Sequence, residues 1–76
     1  MYKEDKTMNI SARNQLKGKI KHITKGAVNS EVKLELADGV EIISIITNSS
    51  VNNLGIKEGK EAYAVIKASN VMIAID

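Results

Sequence analysis

The chain has a single arginine, Arg13, against ten lysines, and it lies in the run Ile10-Ser11-Ala12-Arg13-Asn14-Gln15-Leu16. Arginine presents five N–H donors in a planar fork suited to oxyanions. The serine hydroxyl and the Asn and Gln amides add neutral donors, so the cluster could bind a small anion without cysteine or histidine. Other segments carry donors too. Thr47 and Ser50 stand at the start of an expected helix, where free N–H groups favour negative charge. Lys67-Ala68-Ser69-Asn70 puts a lysine, a small residue and a hydroxyl at an expected turn. Ala27, Val28, Asn29 and Ser30 follow Gly26, and small residues there would leave backbone N–H groups accessible. Each segment also has a plain structural role: a strand-edge arginine, a helix N-cap, a hairpin turn, a loop.

Little else could do chemistry. There is no cysteine, so disulfides and thiolate metal sites are excluded. One histidine, His22, is too few for a zinc site of the usual nitrogen and sulfur type, and it sits on an expected strand beside lysines. Glu31 and Glu35 share a strand face but alternate with lysine, as a solvated surface does. The five glycines form no phosphate-cradling run. The chain is therefore not expected to be an enzyme, and no catalytic cofactor is expected. No apolar run exceeds five residues, the length of Val71–Ile75, far short of the ~20 residues of a membrane helix. No apolar stretch follows the charged Met1–Thr7 segment, so it does not read as a signal peptide, and a cytoplasmic location is the expectation.

The elements that must position these donors read mainly as strands. Residues 1–7 are polar, mixed in charge and without periodicity, which predicts a flexible arm before a single domain over 8–76. Leu16–Thr24 alternates apolar and lysine until His22 and Ile23 break the parity, a break that a bulge near His22 repairs. Val28–Leu36 alternates cleanly and ends at Asp38-Gly39, a hairpin signal of type I′. Val40–Thr47 is rich in Ile on both faces, which suggests a subunit interface or a helix laid across it. Asn48–Gly55 predicts a short helix with Gly55 as its cap. Glu61–Lys67 is a fourth strand, Ser69-Asn70 a tight turn, and Val71–Ile75 a fifth strand. With 76 residues, no Phe and no Trp, the core must be aliphatic and small. Closing five strands into an OB-like Greek-key barrel, all-β with one short helix between strands 3 and 4, buries one apolar face and limits exposed edges.

Ser11-Ala12-Arg13-Asn14-Gln15-Leu16-Lys17-Gly18 resembles the opening motif of the molbindin family, the Mop or TOBE-type domains that bind molybdate. Lys25–Val32 resembles the family's second segment. Ile46-Thr47-x-x-Ser50-x-x-x-Leu54-Gly55 with Lys57-Glu58-Gly59 resembles its helix and turn, and Ile66–Ile73 its close. The match spans about residues 8–75 in the family's order. It implies a homo-hexamer, a trimer of dimers, with molybdate sites between subunits. By matching positions, Ser11, Ala12 and Arg13 would come from one subunit and Thr47, Ser50, Lys67 and Ala68 from a neighbour. A second type of site would involve Ala27, Val28, Asn29 and Ser30. Molybdate is a tetrahedral dianion whose oxygens only accept, so its site needs donors and not metal ligands. Tungstate, nearly the same size, should substitute. The alternative for an OB-type barrel is a single-stranded nucleic-acid module, which stacks bases on aromatic side chains. Tyr2 and Tyr63 are the only aromatics, so neither nucleic acid nor a pterin form of the cofactor has an evident stacking surface.

Overall fold

The structure, a computed structural model, describes residues 10–76. The expected arm, and the start of the domain at Met8, lie outside the described residues. Four strands and one helix form: β1 Asn14–Lys25, β2 Asn29–Leu36, β3 Glu41–Thr47, α1 Asn48–Leu54 and β4 Glu61–Ile66. The strands make one antiparallel sheet in the order β3-β2-β1-β4.

β1 is the long central strand. Its first half pairs with β4, from Asn14 opposite Ile66 to Lys19 opposite Glu61. Its second half pairs with β2, from Gly18 opposite Leu36 to Lys25 opposite Ser30. The expected bulge is present: Ile20 opposes Leu34 and His22 opposes Lys33, leaving Lys21 as the extra residue. The bulge turns Ile23 back to the side of Ile20 and sharpens the local twist. Gly18 pairs on both sides, with Leu36 and Ala62, and a Cβ there would sit 2.6 Å from the Glu35 carbonyl oxygen. Only glycine fits that backbone approach.

The sheet curls around Ile20, Val32 and Leu34, with Ile23, Ile46, Ile56, Ala62 and Ala64 packed against them. These residues recur at the period of two that one strand face demands. Each of the three buried side chains contributes roughly 1.5–3 kcal/mol relative to exposure. α1 is capped as its sequence predicts. Thr47 Oγ1 accepts from Ser50 N at 3.0 Å, and Gly55 ends the helix in the left-handed region.

Two features differ from the sequence reading. The Asp38-Gly39 hairpin exists, but no residue other than glycine has positive φ among the described residues, so it is not a type I′ turn. Instead Gly39 N donates to Leu36 O and Leu36 N to Val40 O, a three-residue loop ending on Gly39 at φ +86°. A three-residue loop of this kind needs positive φ only at its last position. The larger difference is at the C-terminus. The expected fifth strand, Val71–Ile75, pairs with no strand, and Ser69-Asn70 lies in a 3₁₀ turn, Ala68–Asn70, rather than a hairpin turn. A strand exists only as part of a ladder, and this segment leaves the turn extended, with Met72 and Ile75 each 92% exposed. The described chain is therefore a four-stranded half-barrel, not a closed five-stranded one.

Candidate functional site

Within one chain the predicted donors fall into two groups. The first lies where β1 begins and β4 ends. Asn14 pairs with Ile66, and its side-chain amide donates to the Ile66 carbonyl at 3.2 Å. Arg13 and Lys67 are the residues that flank this last pair. Gln15 Nε2 donates to the Ala12 carbonyl at 3.1 Å, which fixes the bend that carries Ser11, Ala12 and Arg13. Ala12 is buried, whereas Ser11 and Arg13 face solvent. Lys67 and Ala68 continue from the last residue of β4 into the 3₁₀ turn.

The electrostatics of this corner follow from the sequence. No acid occurs between Ile10 and Ser30, and none between Ala62 and Ile75. The two segments that meet here therefore bring cations without carboxylates of their own. Like charges across neighbouring strands repel, and an anion placed between them relieves that repulsion.

The second group lies at the far end of β1, where β2 begins and β3 ends. Asn29 pairs with Thr47. Asn48 N donates to Val28 O at 2.8 Å, and the Asn48 amide donates to Gly26 O at 3.0 Å. Ser30 is 2% exposed, and its hydroxyl donates to the Asn48 side-chain oxygen. Ser30 is thus engaged in holding the loop to the helix, a role its sequence context does not announce. Asn48, which carries three of these contacts, reads in the sequence as one of three candidate N-caps with Thr47 and Ser49; its tie to the loop is what sequence reasoning misses. Ala27, Val28 and Asn29 remain exposed. Thr47 Oγ1 donates to Ser50 Oγ at 2.9 Å, so the Ser50 hydroxyl keeps its own proton for another acceptor.

The seven residues expected to share a site are not gathered by one chain. Ser11, Ala12, Arg13, Lys67 and Ala68 adjoin, while Thr47 and Ser50 lie with the Ala27–Ser30 loop. The groups are separated along β1 by its 12 residues, a contour of roughly 35–40 Å at ~3.3 Å per residue. No cluster of three or more metal-ligating side chains occurs among the described residues, and no helix there is long and apolar enough to cross a membrane.

The TOBE domain matches residues 10–73. The molybdenum-pterin-binding protein 1 of Clostridium pasteurianum is 58% identical over 66 residues, 87% of this chain and 97% of the relative. A molybdate-binding protein from Sporomusa ovata superposes with a TM-score of 0.84 at 32% identity, covering 90% of this chain and all of that one. The cytoplasmic molybdate-binding protein ModG, solved with molybdate bound, also gives a TM-score of 0.84, at 51% identity over 91% of this chain and 49% of its own. The chain belongs to the TOBE domain family, among the Mop-type molybdate-binding proteins that share its half-barrel.

Proposed function

We propose that this protein binds molybdate as an intact oxyanion and serves to store or buffer it in the cytoplasm, without catalysis. The observation that carries this reading is the end of the β1–β4 ladder, where Arg13 and Lys67 flank the last pair, Asn14 and Ile66, on two segments without acids. Two cations offset the two charges of a tetrahedral dianion. The Ser11 hydroxyl and the backbone N–H groups near Ala12 and Ala68 supply charge-assisted bonds to its oxygens. Selection against sulfate, of equal charge, then falls to the size of the pocket, and tungstate substitutes for molybdate.

Thr47 and Ser50 complete the site from a neighbouring subunit. Their separation from Arg13 along β1 supports this, because one chain offers only part of the donor set. The assembly is a homo-hexamer, a trimer of dimers, and the Ala27–Ser30 loop forms the second type of site, with Ala27, Val28 and Asn29 the accessible members. The names of the relatives, which bind molybdate or a molybdenum pterin, agree with a binding role rather than a catalytic one. A nucleic-acid module is not favoured: Tyr63 is the one aromatic among the described residues, and base stacking needs several. A pterin ligand meets the same shortage.

Isothermal titration with sodium molybdate and sodium tungstate tests the reading. Heat of binding is expected from both, and no heat from either at micromolar protein sinks it. Arg13→Ala is expected to weaken binding by tenfold or more, while Lys33→Ala, a cation on the outer face of β2, leaves it unchanged. Equal affinities in the two variants would overturn the assignment of Arg13.

A further inference from the structure

Asn48 lies 22 residues after Gly26, yet both ends of its side chain are engaged by the Gly26–Ser30 loop. Its Nδ2 donates to Gly26 O at 3.0 Å, its Oδ1 accepts from the Ser30 hydroxyl, and its main-chain N donates to Val28 O at 2.8 Å. Chemistry fixes which way the amide points. A carbonyl only accepts, so the NH₂ end faces Gly26, and the oxygen end then faces Ser30, whose hydroxyl donates. Ser30 is 2% exposed, so water does not compete for its hydroxyl.

The loop is a turn held open. Gly26 N donates to Asn29 O at 2.9 Å. In a closed turn Asn29 N–H would donate back to Gly26 O. Among the described residues that bond is absent, and Gly26 O is taken by the Asn48 amide instead. The β2–β3 ladder does not use Asn29 N–H either. Bonded and non-bonded pairs alternate along an antiparallel ladder. The bond from Asn48 N to Val28 O marks those two as a bonded position, which leaves Asn29 and Thr47 as a non-bonded pair.

The same bonds aim the remaining donors. A trans peptide points its N–H opposite to its C=O, and no peptide bond is cis among the described residues. With Gly26 O fixed on the Asn48 amide, Ala27 N–H turns away from α1. With Val28 O fixed on Asn48 N, Asn29 N–H turns away likewise. Among the described residues Ala27 N–H has no backbone acceptor, and Ala27 and Asn29 are both exposed. Gly26 permits the close approach, since a Cβ there would sit 2.7 Å from Asn29 O.

We propose that Asn48 is a positioning residue: by occupying Gly26 O it holds the Gly26–Asn29 turn open, and so keeps Ala27 N–H and Asn29 N–H available to a small tetrahedral oxyanion. Without its amide, Asn29 N–H closes the turn on Gly26 O and one donor is lost to the anion. Asn48 acts here through the loop and does not touch the anion. This role presupposes that Ala27–Ser30 forms the second type of site.

NMR of the ¹⁵N-labelled chain, titrated with sodium molybdate, reads the turn and the site separately. In the parent without molybdate, the Asn29 amide is expected to exchange freely with solvent, and added molybdate is expected to shift the Ala27 and Asn29 signals. Asn48→Leu keeps the side chain's size but cannot donate. In that variant the Asn29 amide is expected to exchange about tenfold more slowly, and these two signals to need about tenfold more molybdate, as loss of one hydrogen bond to a charged group implies. The Ala12 and Ala68 signals, at the other group of donors, are expected to keep their midpoint. Unchanged exchange at Asn29, or an unchanged midpoint at Ala27 and Asn29, overturns the role of Asn48 and leaves the second site standing. Parent signals of Ala27 and Asn29 that stay still in molybdate overturn the second site, and this role with it. Should Asn48→Leu fail to fold, Ser30→Ala decides. It frees the Asn48 amide to turn and is expected to move both readouts in the same direction, and movement in neither overturns the proposal.

Discussion

The seam between β1 and β2 and the pair of edges β3 and β4 are built from similar aliphatic residues but solve different problems. At the seam, Ile20 and Val32 are each 2% exposed, and the chain satisfies them itself. At the edges, Ile43, Ile45 and Val65 remain in solvent with the same residue chemistry. The difference is one of neighbours. β1 has a strand on each side and Ile56 and Ala62 over its inner face, whereas β3 and β4 each have one strand and an open flank. A small chain without Phe or Trp fills only a small aliphatic core from its own sequence. The remaining apolar residues stay exposed on the single chain, and association is one route by which small domains commonly gain stability.

The largest effect expected at the seam is that of Ile20→Ala, which leaves a cavity where no neighbour can collapse. A loss of about 2–5 kcal/mol in urea-unfolding stability is expected, the same at every protein concentration. Ile45→Ala, at the edge, is expected to change stability only through its concentration dependence. A concentration-independent loss at Ile45 as large as that at Ile20 would break the distinction between the two regions. Next in size is Thr47→Ala. It removes the hydroxyl that caps α1 and is expected to cost about 0.5–2 kcal/mol, read from thermal unfolding. It is also expected to weaken molybdate binding, whereas Thr47→Ser, which keeps the oxygen, restores both.

Much of the seam is legible in the sequence because its signals are local. The Val28–Leu36 alternation, the parity break at His22 and the Thr47–Gly55 caps each depend on neighbours a few residues away, and each maps to an observed element. The hairpin at Asp38-Gly39 is legible as a turn but not as a loop type, since that depends on the φ of Asp38, which Asp tolerates on either side. The C-terminal segment misleads for the opposite reason. Val71–Ile75 has the composition of a strand, but composition does not supply the neighbouring strand that a ladder needs. In the proposed site, Arg13 and Lys67 stand out by residue type, and both flank the last pair of the β1–β4 ladder. The distance between Arg13 and Thr47 follows only from the length and pairing of β1, which no motif states.

The smallest effect belongs to the outer face, where ion pairs decorate the seam without holding it. Lys21, the bulged residue, reaches Glu41 at 2.9 Å and lies 4.0 Å from Glu35, and Lys33 lies 3.8 Å from Glu41. The hydrogen bond from Lys21, with its charge, holds the Glu41 carboxyl below its ordinary value of 4.5. The hydrogen bond to Glu41, with the charge of Glu35, raises the Lys21 ammonium above 10.5. A lowered carboxylate contributes stability that is present above its unfolded value and lost as pH falls through the lowered one. A raised ammonium contributes stability that is present below its unfolded value and lost as pH rises through the raised one. Lys21→Ala is therefore expected to lower the unfolding temperature slightly and evenly between about pH 5 and pH 10, and to match the parent below the folded value of Glu41. All four side chains are more than a third exposed, where water and salt screen such pairs, so the difference should shrink further in molar salt. A loss at neutral pH that rivals Ile20→Ala, or one that survives both acid and salt, would show that the bulge at Lys21 acts through backbone geometry. The seam would then extend to the surface, and its contrast with the edges would be one of position along β1 rather than of burial.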